Sequence, residues 1–363
     1  MSLLTLRLLI ILFLISAALI NYGQDNTPKY SNEFLSLGVG ARGLAMNGAQ
    51  VAVTADISSG YWNPAGLLQI SSDQQLMLMH SVYYSGIGNY DFAAFGIELE
   101  DSSRLALSLI RFSIDDIPDT RFLFDANGAI NYNNIRFFSA SDYAGFLSYA
   151  KRIKKLGGID LGGNLKVVHR LVGDFSKAWG FGLDVGLHKS LGNFKLGLTG
   201  RDIFGTFNAW SHNADEFREV FIQTGNEVPV STLEITLPQW TLGAAYQLSL
   251  PADFTAVITT DLRATFDGKR NTLIQSDMIS MDPYGAIEVG FRDLYFIRYG
   301  VGQFQRVENL NNIENWQLRM TGGVGIVLKD FTIDYALTDF GTSAVGLMSH
   351  VFSIKINFYD KAD

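Results

Sequence analysis

The sequence contains no cysteine, and this absence excludes several kinds of site. Without thiols the protein forms no disulfide bonds, and its N-terminus is not a signal of the lipoprotein type. A zinc site would have to be built without thiolates, and no histidine has a partner at zinc-ligand spacing. We therefore predict no metal site. The five histidines, which we expect in the lumen, at a rim or in loops, are His80, His169, His188, His212 and His350.

Charged residues are also scarce, and no basic block occurs. Asp, Glu, Lys and Arg make up 18% of the chain, whereas roughly 25% is usual for soluble globular domains. The formal net charge is −8. A nucleic-acid partner requires clustered cations against its phosphates, so we predict no nucleic-acid binding.

Sequence patterns for catalysis and cofactor binding are missing as well. No G-x-S-x-G occurs, so the usual hydrolase nucleophile is not indicated. Gly38–Gly43 satisfies G-x-G-x-x-G, but that pattern binds dinucleotides only inside a βαβ unit with an acid about 20 residues later. No such unit follows, and Asp56 comes too early. We predict close backbone packing at these glycines, no enzymatic activity, no catalytic residue and no cofactor.

Long apolar runs are absent after the first two dozen residues. A membrane-spanning helix needs about 18 to 20 apolar residues, and no later segment provides them. At the start, Arg7 precedes the apolar run Leu8–Ile15, and the small residues Ser16, Ala17 and Ala18 follow. This order is typical of a secretory signal peptide. We predict a cleaved signal peptide over residues 1–23 and secretion through the inner membrane.

From about residue 74 onward the chain alternates between apolar and polar residues. Leu161, Leu165 and Val167 share one parity, and Asp160 and Lys166 share the other. In a strand the two sets point to opposite faces. About fourteen such segments are predicted, at 76–85, 90–99, 104–113, 142–152, 158–170, 177–189, 193–201, 237–250, 253–266, 283–293, 295–305, 315–328, 330–340 and 348–358.

These segments predict an all-β fold, a transmembrane antiparallel β-barrel of about 14 strands over residues 74–363 in the outer membrane. Short joins such as Lys329–Asp330 contrast with long ones at Ile114–Ser141, Asp202–Pro238 and Asp267–Asp282. Short turns at one rim and long loops at the other are typical of bacterial barrels. A soluble β-sandwich also has alternating strands. The length of segment 253–266 and its ring-bearing ends, Phe254 and Phe266, favour the barrel.

The facing of the strands leads to a mutational expectation. Leu183 belongs to the predicted lipid face and Asp184 to the predicted wet lumen. We expect Leu183→Arg to destabilise the barrel and the same change at Asp184 to be mild.

Residues 24–73 lack this alternation and are dense in small and apolar residues. Glycine and alanine permit close backbone packing, and Pro64 suits the first turn of a short helix. We predict a plug or hatch inside the barrel; a flexible periplasmic tail is the alternative. The motif residues of this segment are Gly40, Ala41, Arg42, Gly43, Gly48, Trp62, Asn63, Pro64, Ala65 and Gly66.

The same segment resembles the N-terminal signature of the PorV/PorQ proteins, which belong to the FadL-like barrels of Bacteroidetes and relatives. The resemblance rests on Phe34-Leu35, Gly38–Gly43, Met46–Ala49, Val51–Val53 and Tyr61–Leu67. The signature covers about 35 residues. Asn47 departs from the usual glycine, and Thr54–Ser59 is less acidic than is usual in the family. These departures leave the resemblance intact but do not indicate which branch of the family the chain resembles.

The resemblance implies a fourteen-stranded barrel and a role in the type IX secretion system. In that system PorV binds the C-terminal signal domain of exported cargo and carries it to the attachment machinery, in which PorQ sits. The implied partners are secretion-system subunits or secreted cargo proteins, besides outer-membrane lipid and a lipid or detergent molecule in the lumen.

Aromatic residues in the predicted long loops suit contacts with a partner, although they suit an inward-folded lid equally well. They are Phe122, Phe124, Phe137, Phe138, Trp210, Phe217 and Phe221.

Two functions are therefore predicted. The first is binding and assembly in type IX secretion, which needs a sealed lumen and adhesive outer loops. The alternative is a FadL-like channel for uptake of hydrophobic small molecules. That function needs an apolar pocket behind Asn63–Leu67 and a gap or kink in the barrel wall.

Overall fold

The structure is a computed structural model that describes residues 30–100, 102–125, 127–216, 218, 227, 231–308, 312–340 and 348–359. The predicted signal peptide, residues 1–23, lies outside the described residues.

Seventeen strands form one antiparallel sheet in the described part of the chain. Their bounds are β1 (Gln74–Tyr83), β2 (Gly88–Leu99), β3 (Ser103–Asp119), β4 (Arg136–Ile153), β5 (Ile159–Val172), β6 (Ser176–Leu191), β7 (Phe194–Arg201), β8 (Thr206–His212), β9 (Thr232–Thr236), β10 (Gln239–Leu250), β11 (Phe254–Thr265), β12 (Ile274–Gln275), β13 (Ser280–Phe291), β14 (Tyr295–Glu308), β15 (Glu314–Leu328), β16 (Phe331–Phe340) and β17 (Ser349–Phe358).

Fourteen of these strands close a ring, because the first strand pairs with the last. β1 and β17 are antiparallel in a register that runs from Gln74 opposite Phe358 to Val82 opposite His350. β8, β9 and β12 are accessory strands outside the ring, since β7 pairs with β10 and β11 with β13. The predicted fold, an antiparallel barrel of fourteen strands, is confirmed.

The helices of the described residues are short and stand mostly before β1. None of them has the length and apolar character of a helix that crosses a membrane. They are the α-helices α1 (Ala41–Ala45) and α2 (Ser59–Trp62) and the 3-10 helices Glu33–Ser36, Pro64–Gln69, Tyr84–Gly86, Tyr132–Asn134 and Lys154–Leu156.

The two rims of the barrel differ in the length of their connections. At the rim where β1 begins and β17 ends, the strands are joined by turns of two to five residues, such as 192–193 and 329–330. The opposite rim carries the long connections, including 120–135, 202–238 and 266–279. Short turns face the periplasm in bacterial barrels, so the long connections mark the outer rim.

The predicted facing of β5 and β6 agrees with the exposure of their side chains. Leu165 is 58% exposed on the outer surface, whereas its neighbour Lys166 is 3% exposed in the interior. On β6, Trp179 and Phe181 are exposed and Asp184 is buried. One apolar face outward and one polar face inward is the pattern of a membrane barrel.

Two predicted loops contain more strand than expected. β3 extends to Asp119 because a bulge at Asp116, with φ 55°, absorbs the register shift between Ile114 and Ile117. Within the predicted loop 202–238, β8 pairs with the part of β6 that β7 does not reach, and β9 pairs with β8. An unpaired sheet edge offers free backbone donors and acceptors, and β8 occupies this one.

Candidate functional site

The residues that precede β1 lie inside the ring of strands. The Ala45 carbonyl accepts a hydrogen bond from Thr321 on β15 at 2.9 Å, and the Gly60 carbonyl accepts one from Asn164 on β5 at 2.7 Å. The Ala41 backbone N–H donates to Ser353 on β17. These strands stand on different sides of the ring, so residues 31–70, here called the interior segment, occupy the lumen. That this segment acts as a plug or hatch stays a prediction.

Trp62 is the packing centre of the interior segment. Its indole N–H donates to the Val39 carbonyl at 3.0 Å. A Cβ atom at Gly43 would lie 2.8 Å from the indole nitrogen, and one at Gly38 would lie 2.9 Å from the ring. Gly48 also approaches the ring, at 3.2 Å. The glycines of the G-x-G-x-x-G stretch therefore admit an indole, which agrees with the predicted close packing.

Asn63 and Pro64 fix the far end of the interior segment against β5 and β6. The Asn63 side chain donates to the carbonyls of Val51 and Leu187, at 2.8 and 3.0 Å, and accepts the Ala65 N–H. A Cβ at Gly186 would lie 2.1 Å from the Asn63 oxygen. Both residues are buried. The chain approaches the wall this closely only because the strand has a glycine there.

A buried chain of ion pairs joins α1 to the barrel strands β13, β14 and β16. Arg42 makes two hydrogen bonds to Glu288 of β13, both at 2.8 Å. Glu288 also pairs with Arg298 of β14, which in turn contacts Asp334 of β16 at 2.7 Å. Two arginines and two acids give a neutral set, and each charge has a partner. Breaking a set like this is costly, because the remaining charges lose compensation in a low-dielectric site.

Two aspartates, one on the barrel wall and one in the interior segment itself, hold the middle of that segment in place. Asp261 on β11 accepts the backbone N–H groups of Gln50 and Val51, at 2.9 and 3.0 Å. Asp56 belongs to the segment itself and lies 3.6 Å from Lys355 on β17. Burial would raise the pKa of the Asp56 carboxyl, but the charges of Lys355 and Arg42 and hydrogen bonds from Ser58 outweigh burial and lower the pKa. Asp56 is therefore an anion at neutral pH.

The lumen has an apolar half and a polar half, which the sequence did not predict. A wet lumen was expected from the polar faces of the predicted strands. Apolar inward side chains cluster on β1 to β5 against the interior segment; they include Met77, Met79, Tyr90, Phe92, Ile110, Phe146 and Val168. The charged and hydroxyl side chains line the rest of the ring; they include Asp184, Thr199, Asp261, Glu288, Arg298, Thr321 and Asp334. The sequence feature that could have indicated the apolar half is the presence of apolar residues at both parities of β2, such as Phe92 and Phe95.

The outer surface of β1 to β6 carries a groove over the apolar half. Its volume is about 660 Å³, and it is open because Ala93 and Gly145 have too little side chain to fill it. Buried Met79, Phe92 and Ala144, which belong to the interior apolar cluster, also line it. These three side chains face inward and are at most 4% exposed, so one layer of paired strands separates the groove from the lumen.

Polar and aromatic side chains edge this groove on its side nearer the outer rim. Asp91 lies 2.7 Å from His80 and 3.4 Å from Arg111 on neighbouring strands. His169 stacks on Trp179 with ring centroids 4.0 Å apart. Aromatic residues are typical of the membrane interface of barrels, so this row marks the outer edge of the apolar band.

The predicted loop aromatics do not form one cluster. Phe124 and Phe137 are 63% and 65% exposed, and the Phe122 ring contacts Arg121 and Arg136. Phe138 packs edge-on against Phe175, whereas Trp210 donates to Glu234 at 2.6 Å. Phe217 and Phe221 lie outside the described residues. Their role as partner contacts stays a prediction. Among the described residues, no group of three or more potential metal ligands comes together.

No protein-family model and no curated protein matches the sequence. Solved structures with a similar barrel include the following three. They are the toluene transporter TodX of Pseudomonas putida (14% identity, TM-score 0.56, covering 89% of this chain and 99% of that one), the CymD monoaromatic hydrocarbon channel (12%, 0.54, 89% and 98%) and a Pseudomonas aeruginosa FadL homologue (11%, 0.52, 88% and 98%).

At this level of identity the likeness shows the fold. The barrel and these neighbours support an outer-membrane location. The resemblance to PorV/PorQ finds no family match and stays a prediction. The chain has the fourteen-stranded fold of FadL-type outer-membrane transporters.

Proposed function

We propose that this protein is an outer-membrane channel for small hydrophobic molecules. The observation that carries the proposal is the wall groove, which lies on the lipid-facing surface directly outside strands whose inward side chains form the apolar cluster of the lumen. The similar solved structures include a toluene transporter and a monoaromatic hydrocarbon channel, and their fold over nearly the whole chain supports the proposal.

The two halves of the lumen favour a route through the wall. An apolar solute gains roughly 25 cal/mol for each Å² that it removes from water, so it concentrates in the membrane beside the groove. Passage from there to Met79 and Phe92 requires the paired strands to separate locally, and keeps the solute among apolar side chains. A route down the axis from the outer rim would instead cross Arg263, Asp267 and Arg270, where an apolar solute would displace water from charged groups.

Filling the groove tests this route. A Cβ at the outward-facing Gly145 would contact only Leu109, at 3.6 Å, so phenylalanine fits there and occupies the groove. We expect Gly145→Phe to lower toluene uptake severalfold in bacterial cells that lack another hydrocarbon channel. The matched control is Gly163→Phe, on the neighbouring strand outside the groove, which should leave uptake unchanged.

Uptake equal to that of the wild type in Gly145→Phe would contradict the wall route. Uptake by the wild type no faster than by cells without the protein would contradict the channel function itself. The amount of each variant in the outer membrane is measured alongside, so that lost uptake is separated from lost assembly.

Protein secretion is the second candidate function. The PorV/PorQ resemblance implies it, and the exposed side chains of Phe124 and Phe137 at the outer rim favour it, because exposed apolar surface is often a partner contact. Affinity purification from native outer membranes tests it. Secretion subunits or cargo that co-purify with the wild type, and not with the double variant Phe124→Ser and Phe137→Ser, would support this function; recovery of lipid alone would count against it.

A further inference from the structure

A second cavity lies on the polar side of the lumen, towards the outer rim. Its volume is about 270 Å³, at the lower end of the range of small-molecule sites. One wall is formed by Tyr30 and the start of the interior segment, residues 31–36. The rest comes from Tyr61, from inward side chains of β4 to β7, β9 to β11, β13 and β14, and from the connections that follow β7, β9 and β11. The cavity is lined by charged and amide side chains, so its ligand differs in chemistry from the solutes that the wall groove suits.

Most acids that line this cavity are already paired. Lys166 contacts Asp184 at 3.1 Å and also pairs with Asp202. Arg270 contacts Asp267 at 2.6 Å. Arg270 and Asp267 cancel, whereas Lys166 is shared by two acids and leaves one net negative charge there.

Two further acids complete the lining. Asp282 accepts the Phe304 backbone N–H at 3.3 Å. Glu33 is exposed and accepts a hydrogen bond from Ser36 at 3.0 Å. Of the two, only Asp282 is buried, and it is the acid that an anionic ligand would have to approach.

Two arginines in the lining lack an acid partner. Among the described residues, neither Arg201 nor Arg263 has a carboxylate oxygen within 4.0 Å. The Arg263 guanidinium carbon lies over the Tyr284 ring, 4.6 Å from its centroid, and the side chain makes no hydrogen bond to a described residue. Arg201 stacks on Tyr61 at 4.3 Å and donates to the Tyr61 carbonyl. Stacking uses the face of a guanidinium and leaves N–H groups at its edge for a planar acceptor.

Thr265 supplies a second, independent observation at this cavity. Its side chain is only 8% exposed, it lines the cavity, and its hydroxyl has no hydrogen-bond partner among the described residues. A buried hydroxyl without a partner costs free energy. Thr265 stands two residues after Arg263 on β11, so both point inward on the same strand.

We infer that this cavity binds a small carboxylate, with Arg263 and Arg201 as its cations and Thr265 as a hydroxyl donor. Arginine presents N–H groups in a fork that matches the two oxygens of a carboxylate. The inference goes beyond transport of hydrophobic molecules and does not depend on it, because it concerns a separate cavity and a charged ligand.

Calorimetric titration of the full-length protein in detergent micelles with succinate tests the inference. We expect saturable binding by the wild type that weakens at high salt. Arg263→Gln keeps an N–H donor but removes the charge, and should weaken binding about tenfold, the loss of one charge-assisted hydrogen bond. Asp282→Asn removes the acid opposite Arg263 and should tighten binding. Arg292→Gln, an exposed arginine at a periplasmic turn, is the control and should change nothing.

Two further probes identify the chemistry. Succinamide has nearly the shape of succinate without its charge, and should not bind. Inorganic phosphate distinguishes a carboxylate site from a general oxyanion site, and we expect it to bind more weakly than succinate. The inference is overturned if the wild type shows no saturable binding of succinate, if succinamide or phosphate binds equally well, or if Arg263→Gln binds succinate as the wild type does.

Discussion

At the scale of single residues, the interior segment shows what a sequence specifies and what it leaves open. The density of glycine around Gly38–Gly43 predicted close backbone packing, because only glycine admits another group where a Cβ would stand. The partner was not predictable. Trp62 is 19 residues further along the chain, and nothing in the alternation of the sequence links it to Gly43. Its position depends on the closed ring around the segment.

The buried ion pairs are another feature that the sequence could not provide. Arg42 and Glu288 are separated by 246 residues, and their meeting depends on which strand faces α1 across the lumen. The sequence predicted Glu288 in a strand and Arg42 in the segment, but not their contact. Long-range pairs follow from closure of the barrel, which fixes every strand's neighbours at once.

Removing Glu288 should destabilise the protein strongly. Glu288→Ala leaves Arg42 and Arg298 buried without their shared acid, and loss of one partner of a buried set costs about 3–5 kcal/mol. The free energy of unfolding in urea, measured in lipid vesicles, checks this. The matched control is Asp253→Ala, which breaks the exposed pair with Arg292 and should cost less than about 1 kcal/mol. Equal losses in the two variants would show that the ion-pair chain is not important for stability.

At the scale of elements, all fourteen barrel strands were predictable. Each segment alternates over about ten residues, long enough to distinguish a strand from a helix. The accessory strands were not. β8 and β9 lie in a stretch that the sequence presents as a loop, and β8 forms because β7 ends at Arg201 and leaves part of the edge of β6 unpaired. That geometry depends on the relative lengths of neighbouring strands.

Asp184 shows that the face of the strand on which a residue lies does not by itself predict the effect of a substitution. The sequence placed it correctly on the inner face, and a mild effect of Asp184→Arg was expected because a wet lumen tolerates charge. That expectation does not fit the structure. Asp184 is buried, contacts Lys166 at 3.1 Å and accepts the Asp202 N–H at 2.9 Å. The lumen at this level is packed, and an arginine would stand beside a buried lysine.

We therefore predict that arginine destabilises the barrel at both neighbouring positions, for different reasons. Leu183→Arg should cost about 2–4 kcal/mol in a bilayer, where the outward face meets hydrocarbon. Asp184→Arg should cost at least about 3–5 kcal/mol, since it removes a buried partner. Unfolding measured in vesicles of two thicknesses separates them: only the cost at Leu183 should depend on bilayer thickness. Dependence at both positions, or at neither, would contradict the assigned facing.

At the scale of the whole molecule, the two halves of the lumen separate two kinds of chemistry. Apolar side chains of β1 to β5 lie beneath the wall groove, and charged side chains of the remaining strands surround the interior segment. The alternation of the sequence indicates only which side chains face the lumen and which face outward. It does not report that one side of the interior is apolar, because apolar residues at both parities in β2 and β3 still form acceptable strands. The asymmetry becomes visible only when the ring is closed.

The interior segment should limit passage of hydrophilic solutes along the axis. Asn63 and Pro64 hold its far end against β6 through hydrogen bonds to Val51 and Leu187 and close contact with Gly186. The double variant Asn63→Ala and Pro64→Ala removes these contacts, and should raise the conductance of small ions through planar bilayers several-fold over the wild type.

The control for this experiment is the double variant Asn213→Ala and Pro251→Ala. It makes the same two changes at exposed positions in loops of the two rims and should conduct as the wild type does. Conductance of the Asn63 and Pro64 variant equal to that of the wild type would mean that the segment does not obstruct the lumen at this point. A wild type that already conducts freely would mean that water passes beside the segment, because the hydrogen bonds at Asn63 hold the chain in place without closing the space around it.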